Sequence, residues 1–120
     1  MSQNSDHHAK MAQLTLAEVY PHYVNKITKK GRTEAELLQV IKWLTSFDES
    51  QLNELIDNKA SFEEFFAKAT LHPNAHLITG VICGYRVEAI DNPVTQKIRY
   101  LDKLVDELAK GRKMEQILRK

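Results

Sequence analysis

TEAELLQVIKWLTSFDESQLNELIDNKASFEEFF, residues 33–66, decides the fold class. Three times in this stretch a short polar residue stands three positions before a Glu or Gln: Thr33 with Glu36, Asp48 with Gln51, and Ser61 with Glu64. Each pair can exchange side-chain and backbone hydrogen bonds across the first turn of a helix, satisfying amides that the helix cannot. An apolar stripe follows each pair. Leu37, Val40, Ile41, Leu44 and Phe47 follow the first, with Trp43 on the flank; Leu52, Leu55 and Ile56 follow the second; Phe62, Phe65 and Phe66 belong to the third. Three starts with matching stripes predict three helices in succession.

Working toward the N-terminus, Leu16, Val19, Tyr20, Tyr23, Val24 and Ile27 recur at helical spacing and predict a helix over 16–30. Pro21 either marks its true first turn or bends it. Gly31 caps its end in the left-handed conformation, with Lys29 and Lys30 near the negative end of the dipole. Residues 1–10 are polar and read as a flexible tail, in which His7 and His8 are solvated rather than metal-bound.

Toward the C-terminus, His72, Pro73 and Asn74 break the chain. Residues 76–90 read two ways. Ile78, Thr79, Val81, Ile82 and Val87 favour a strand. A helix is preferred, because a lone strand would have no partner elsewhere. On that helix Gly80 and Gly84 lie one turn apart and form a close-packing face, against which another backbone or a second copy could rest. Asp91 and Asn92 before Pro93 start a further helix, whose stripe of Ile98, Leu101, Leu104, Val105 and Leu108 is the most regular in the chain, and Gly111 ends it. Met114, Ile117 and Leu118 add a last amphipathic turn. No internal repeat is visible. The expected fold is all-α: a single-domain orthogonal bundle of five or six helices over 11–120, preceded by the tail.

Composition bounds the function. The 120 residues are 42% hydrophobic and 28% charged, which suits one globular core, and the net charge of +1 provides no global field for a polyanion. Nucleic acid is therefore not expected as a partner unless a local patch holds it. No run approaches the roughly 18 apolar residues of a membrane span. A membrane role is not expected, and with a single cysteine and no export segment the expected location is the cytoplasm.

Several strings stand together in one order: Val-Tyr-Pro-His-Tyr-Val (19–24), Lys-Lys-Gly-Arg-Thr (29–33), Trp-Leu-Thr (43–45), Leu-Ile-Thr-Gly-Val-Ile-Cys-Gly (77–84), Arg-Val-Glu (86–88), the fourteen residues 98–111, and Ile-Leu-Arg (117–119). In these the chain resembles a bacterial domain-of-unknown-function family, the one numbered 2200, from about Met11 to the C-terminus. The resemblance implies a prokaryotic, mainly helical, stand-alone domain. It implies no activity and carries over no catalytic residue.

Candidate sites follow from local chemistry. Lys29, Lys30, Gly31, Arg32 and Thr33 surround a turn with cations ahead of a helix N-terminus, where free amides can hold a phosphate. The plainer reading is capping, since Glu36 competes for those amides and Glu34 repels an anion. Arg86, Glu88, Arg99, Tyr100 and Asp102 form a polar cluster, structural on the plain reading and catalytic on the sharp one. Cys83 reads as a small buried apolar residue. His72 and His76 have ligand spacing but no third donor, so no metal and no cofactor are expected. Cations over 110–120 read as a solvated helix end, with a weak nucleic-acid contact as the alternative. The expected function is a non-enzymatic interaction or binding module, with self-association open to it. An anion or nucleic-acid binder at Lys29–Thr33 is the alternative, and an enzyme built on Arg86, Glu88, Arg99 and Asp102 the third reading.

Overall fold

In the computed structural model the backbone is described for residues 2–119 and the side chains for residues 8–119. Among these residues the chain forms seven α-helices: α1 (Ser2–Gln13), α2 (Leu16–Thr28), α3 (Glu34–Thr45), α4 (Glu49–Asp57), α5 (Phe62–Lys68), α6 (Pro93–Ala109) and α7 (Met114–Ile117). A two-stranded antiparallel hairpin, β1 (Val81–Ile82) and β2 (Tyr85–Arg86), lies between α5 and α6. The domain is mainly helical, as its capping pattern implies.

All three expected capping boxes close reciprocally, at Thr33, Asp48 and Ser61. A fourth, Thr15 with Glu18, opens α2. The helix therefore begins before Pro21, which sits inside it rather than at its start. Asn92 caps α6 by accepting from the Thr95 amide, with Pro93 in the first turn.

The core forms around α6, which packs against α1, α2, α3, α5, α7 and β1. The expected stripe of Ile98, Leu101, Leu104, Val105 and Leu108 is buried throughout. Opposite it stand Ile27, Leu37, Val40, Ile41, Leu44, Phe62 and Phe65, all sealed from solvent. Phe62, Phe65, Phe66 and Phe47 make stacked and edge-to-face contacts with ring centroids 5.0 to 6.4 Å apart. Such aromatic geometry adds to the area buried by about 0.5–1.5 kcal/mol per pair.

Two expectations are corrected. Residues 76–90 are not a helix. A 3-10 turn at Ala75–Leu77 leads into the hairpin, and a second at Val87–Ala89 leads out. The strand partner comes from the same segment: Ile82 faces Tyr85 and Val81 faces Arg86 across a two-residue turn. The N-terminal segment, read as a tail over 1–10, has helical backbone from Ser2 to Gln13. There Met11 and Ala12 are buried, and His8 Nδ1 lies 2.6 Å from Thr95 Oγ1. His7 falls outside the described side chains.

Candidate functional site

The hairpin explains its glycines. Gly80 and Gly84 have φ of +109° and +82°, which L side chains rarely adopt. A Cβ on Gly84 would meet nothing within 4 Å, and one on Gly80 would meet only the flexible end of Lys103. The close-packing face expected at Gly80 and Gly84 is thus replaced by a pair of turn glycines. Cys83 is corrected as well: it is exposed, at the hairpin tip, with φ +52°. Val81 and Tyr85 stand half exposed beside it.

The polar cluster Arg86, Glu88, Arg99, Tyr100 and Asp102 divides. Arg86 pairs with Glu88 at 3.2 Å on the surface, and Glu88 also accepts from the Gly80 amide at 3.0 Å, clamping the root of the hairpin. Its own backbone amide, then the Gly80 amide and the bond from Arg86, hold the Glu88 carboxyl below its usual range. Arg99 pairs with Asp102 at 3.0 Å inside α6, and Tyr23 of α2 donates to Asp102 at 2.6 Å. Burial, with the Asp102 charge behind it, pushes the Tyr23 phenol well above its ordinary value, so it stays a neutral donor. The Arg99 guanidinium also contacts Met11 Sδ at 3.7 Å and lies 5.8 Å from the Tyr85 ring centroid. Tyr100 is buried and joins neither pair. These contacts join α2, α6, α1 and the hairpin, while Arg99 Nε is buried with no hydrogen-bond partner among the described residues.

The sharper constellation lies at the far end of α2 and α6. Tyr23 bonds Asp102, Lys26 reaches Asp106, and Arg32 bonds the Arg112 carbonyl, at sequence separations of 79, 80 and 80. A constant offset means that the two segments run parallel and in step. Both end in the same tripeptide, Lys-Gly-Arg, at 30–32 and at 110–112. Both glycines have φ +84°. Gly31 and Gly111 each donate to the carbonyl three residues back at 3.0 Å, and Arg32 and Arg112 each donate to the carbonyl five back at 3.1 Å. These are two copies of one helix-ending turn.

Ionic contacts fix the pair of turns. Arg32 donates from Nη1 to the Arg112 carbonyl at 2.6 Å, and from Nε and Nη2 to Glu36 Oε2 at 3.1 and 2.8 Å. The Glu36 carboxyl is held below its usual range, first by Arg32 and then by the Thr33 amide. Burial opposes ionisation of Asp106, but its bond from Lys110 and the charge of Lys26 outweigh that and keep its carboxyl low. Glu107, only 3% exposed, is clasped by Arg112 at 3.2 Å and by Arg119 at 2.7 Å through two parallel bonds. Arg112 and Arg119 are therefore anchors for the C-terminal segment, whereas the sequence suggests a solvated end. Glu34 accepts from the Tyr20 hydroxyl at 2.6 Å.

With those acids engaged, Lys29, Lys30 and Lys113 are exposed and have no partner among the described residues, while Lys110 and Arg112 keep 68% and 46% of their side chains in solvent. Glu34 and Glu115 are the exposed acids nearby in sequence. The amides of Lys30, Gly31 and Arg32 are taken by the turn, and Glu36 and Thr33 satisfy each other. Of the amides at the start of α3, those of Thr33 and Glu36 are thus engaged by the capping box. What the fold supplies is a cationic surface drawn from two turns. In the sequence it shows as the recurring tripeptide and as the two runs of cations at 29–32 and 110–120.

Elsewhere, an open acidic groove on α4 is lined by Glu49, Ser50, Asn53, Glu54, Asp57 and Asn58. It lies away from the basic turns. The 12 residues of α3 rise roughly 18 Å from Arg32 before α4 begins, and α5 follows α4 beside the start of α2, where Phe62 donates to the Leu14 carbonyl at 2.7 Å. His72 stacks on Trp43 at 4.2 Å and accepts from the Asn74 amide. Among the described residues no three His, Cys, Asp or Glu side chains are placed to hold a metal, and no helix is long and apolar enough to cross a membrane.

Residues 10–119 match the model of a family described as an uncharacterized protein conserved in bacteria, DUF2200. The crystal structure of an uncharacterized protein, SP1917, is similar, with a TM-score of 0.84 at 40% identity over 91% of this chain and 90% of that one. No curated protein matches the chain.

Proposed function

We propose that this chain, which belongs to the bacterial DUF2200 family, is a non-catalytic binding module that holds a phosphate-bearing partner at its basic end. One observation carries the reading: Arg32 bonds the backbone of Arg112, so two Lys-Gly-Arg turns far apart in sequence form one surface. Lysine ammonium groups bind phosphate as point charges, and Glu36, Asp106 and Glu107 beside them are already paired. Exposed lysines gathered at the ends of α2 and α6 give a nearly neutral protein a local field for an anion. The proposal places the module in the cytoplasm, where the exposed Cys83 stays reduced.

The test is a titration of the 15N-labelled protein with inorganic polyphosphate. Amide shifts should concentrate at 29–32 and 110–113 and spare α4. The reading is lost if those amides stay fixed, or if shifts spread evenly over the surface.

A further inference from the structure

We infer that the partner is a nucleic-acid duplex, gripped by its phosphate backbone without regard to base sequence. This rests on the reading of the basic end as a phosphate-binding surface and adds the class of ligand. The exposed cations stand on two turns joined by the Arg32–Arg112 bond, with Lys29 and Lys30 on one and Lys110, Arg112 and Lys113 on the other, and several cations on adjoining turns suit a row of phosphates. The turns themselves are held in place. Arg32 is 14% exposed and tied to Glu36 and to the Arg112 carbonyl, and Arg112 is tied to Glu107, so the surface is preformed.

Stacking groups point to the duplex rather than a single strand. Reading unpaired bases needs exposed aromatic rings among the cations. Here Trp43 is stacked on His72, Tyr23 is buried against Asp102, Tyr85 sits at the hairpin, and Tyr20 has its hydroxyl on Glu34. Cations without base-reading groups position a protein on a backbone and carry no sequence information. The exposed cations of the two turns are Lys29, Lys30, Lys110, Arg112 and Lys113, with Glu34 and Glu115 as the exposed acids nearby in sequence.

The experiment is fluorescence anisotropy with short labelled duplexes of two unrelated sequences, one DNA and one RNA, across a salt series. Each phosphate neutralised contributes about −0.9 to the slope of log affinity against log salt, so a slope of about −3 to −4 is expected. Both sequences should bind alike. Changing Lys29→Gln, Lys30→Gln, Lys110→Gln and Lys113→Gln together should lower affinity at least about tenfold and flatten the slope to about −1. Lys59→Gln with Lys68→Gln, both exposed and away from the turns, should leave binding unchanged. Circular dichroism checks the fold of each variant, and the pair Lys29→Gln with Lys113→Gln serves if the fourfold variant unfolds. Polyphosphate binding without duplex binding overturns this inference and leaves the proposed function standing, whereas loss of both overturns both. A single strand bound more tightly than the duplex, or anionic phosphatidylserine vesicles bound in its place, also overturns it.

Discussion

The side chain of Arg32 donates a 2.6 Å hydrogen bond to the backbone carbonyl of Arg112, and its remaining nitrogens hold Glu36 from the same side. One guanidinium thus joins the end of α2, the start of α3 and the end of α6.

Arg32→Lys should loosen that junction. An ammonium cannot serve Glu36 twice and reach the carbonyl as well, because it lacks the planar fork. Hydrogen bonds to charged groups are worth about 1–3 kcal/mol, so a loss within that range is expected. Urea unfolding beside the parent measures it. An unchanged midpoint would mean that the two turns are held together by helix packing alone.

Glu107→Ala should detach the C-terminal segment. The carboxylate is buried and accepts from both Arg112 and Arg119, so its removal strands Arg119, whose side chain is only 15% exposed. The expected cost is on the order of 3 kcal/mol, the low end for a broken buried pair, because Arg112 can turn to water. Hydrogen exchange should quicken at Ile117 and Leu118, whose amides bond to Lys113 and Met114. Protection retained there would show that Ile117 burial suffices without the ion pairs.

Gly84 separates conformation from packing. Its φ of +82° penalises any ordinary side chain by about 1–2 kcal/mol, yet a Cβ there meets nothing. Gly84→Ala and Gly84→Leu should therefore cost nearly the same, and Gly84→Asn less than either. A leucine variant far less stable than the alanine variant would mean that another chain or segment lies on the hairpin.

Acid should weaken the basic end. Glu36 and Asp106 have carboxyls lowered in the folded state from ordinary values of 4.5 and 3.8. Their contribution is therefore complete above those values and is lost as pH falls through the lowered ones. Urea midpoints from these two groups should be flat down to about pH 5 and decline below it. Asp106→Asn should lower stability near neutral pH and reduce the acid-side loss. If that variant shows the full acid-side loss of the parent, other carboxylates account for the decline.

What the sequence determined by itself is whatever closes within about one helical turn. Thr33 meets Glu36, Asp48 meets Gln51 and Ser61 meets Glu64 because a three-residue spacing brings them together in any helix, so the starts of α3, α4 and α5 are legible directly. The stripe of α6 is equally plain, since one face of a long helix must be buried. Residues 76–90 defeat this reasoning. Their β-branched residues pair with one another in strands of two residues, a hairpin too short to stand alone. Tertiary contacts hold it: Ile82 in the core, Lys103 on the Val81 carbonyl, and Glu88 on the Gly80 amide. The candidate site belongs to the same class. Lys-Gly-Arg at 30–32 and at 110–112 each read as an ordinary helix end, and nothing local brings them together. Only the parallel packing of α2 against α6 places Arg32 on the backbone of Arg112, because contact between segments 80 residues apart depends on which helix faces bury together.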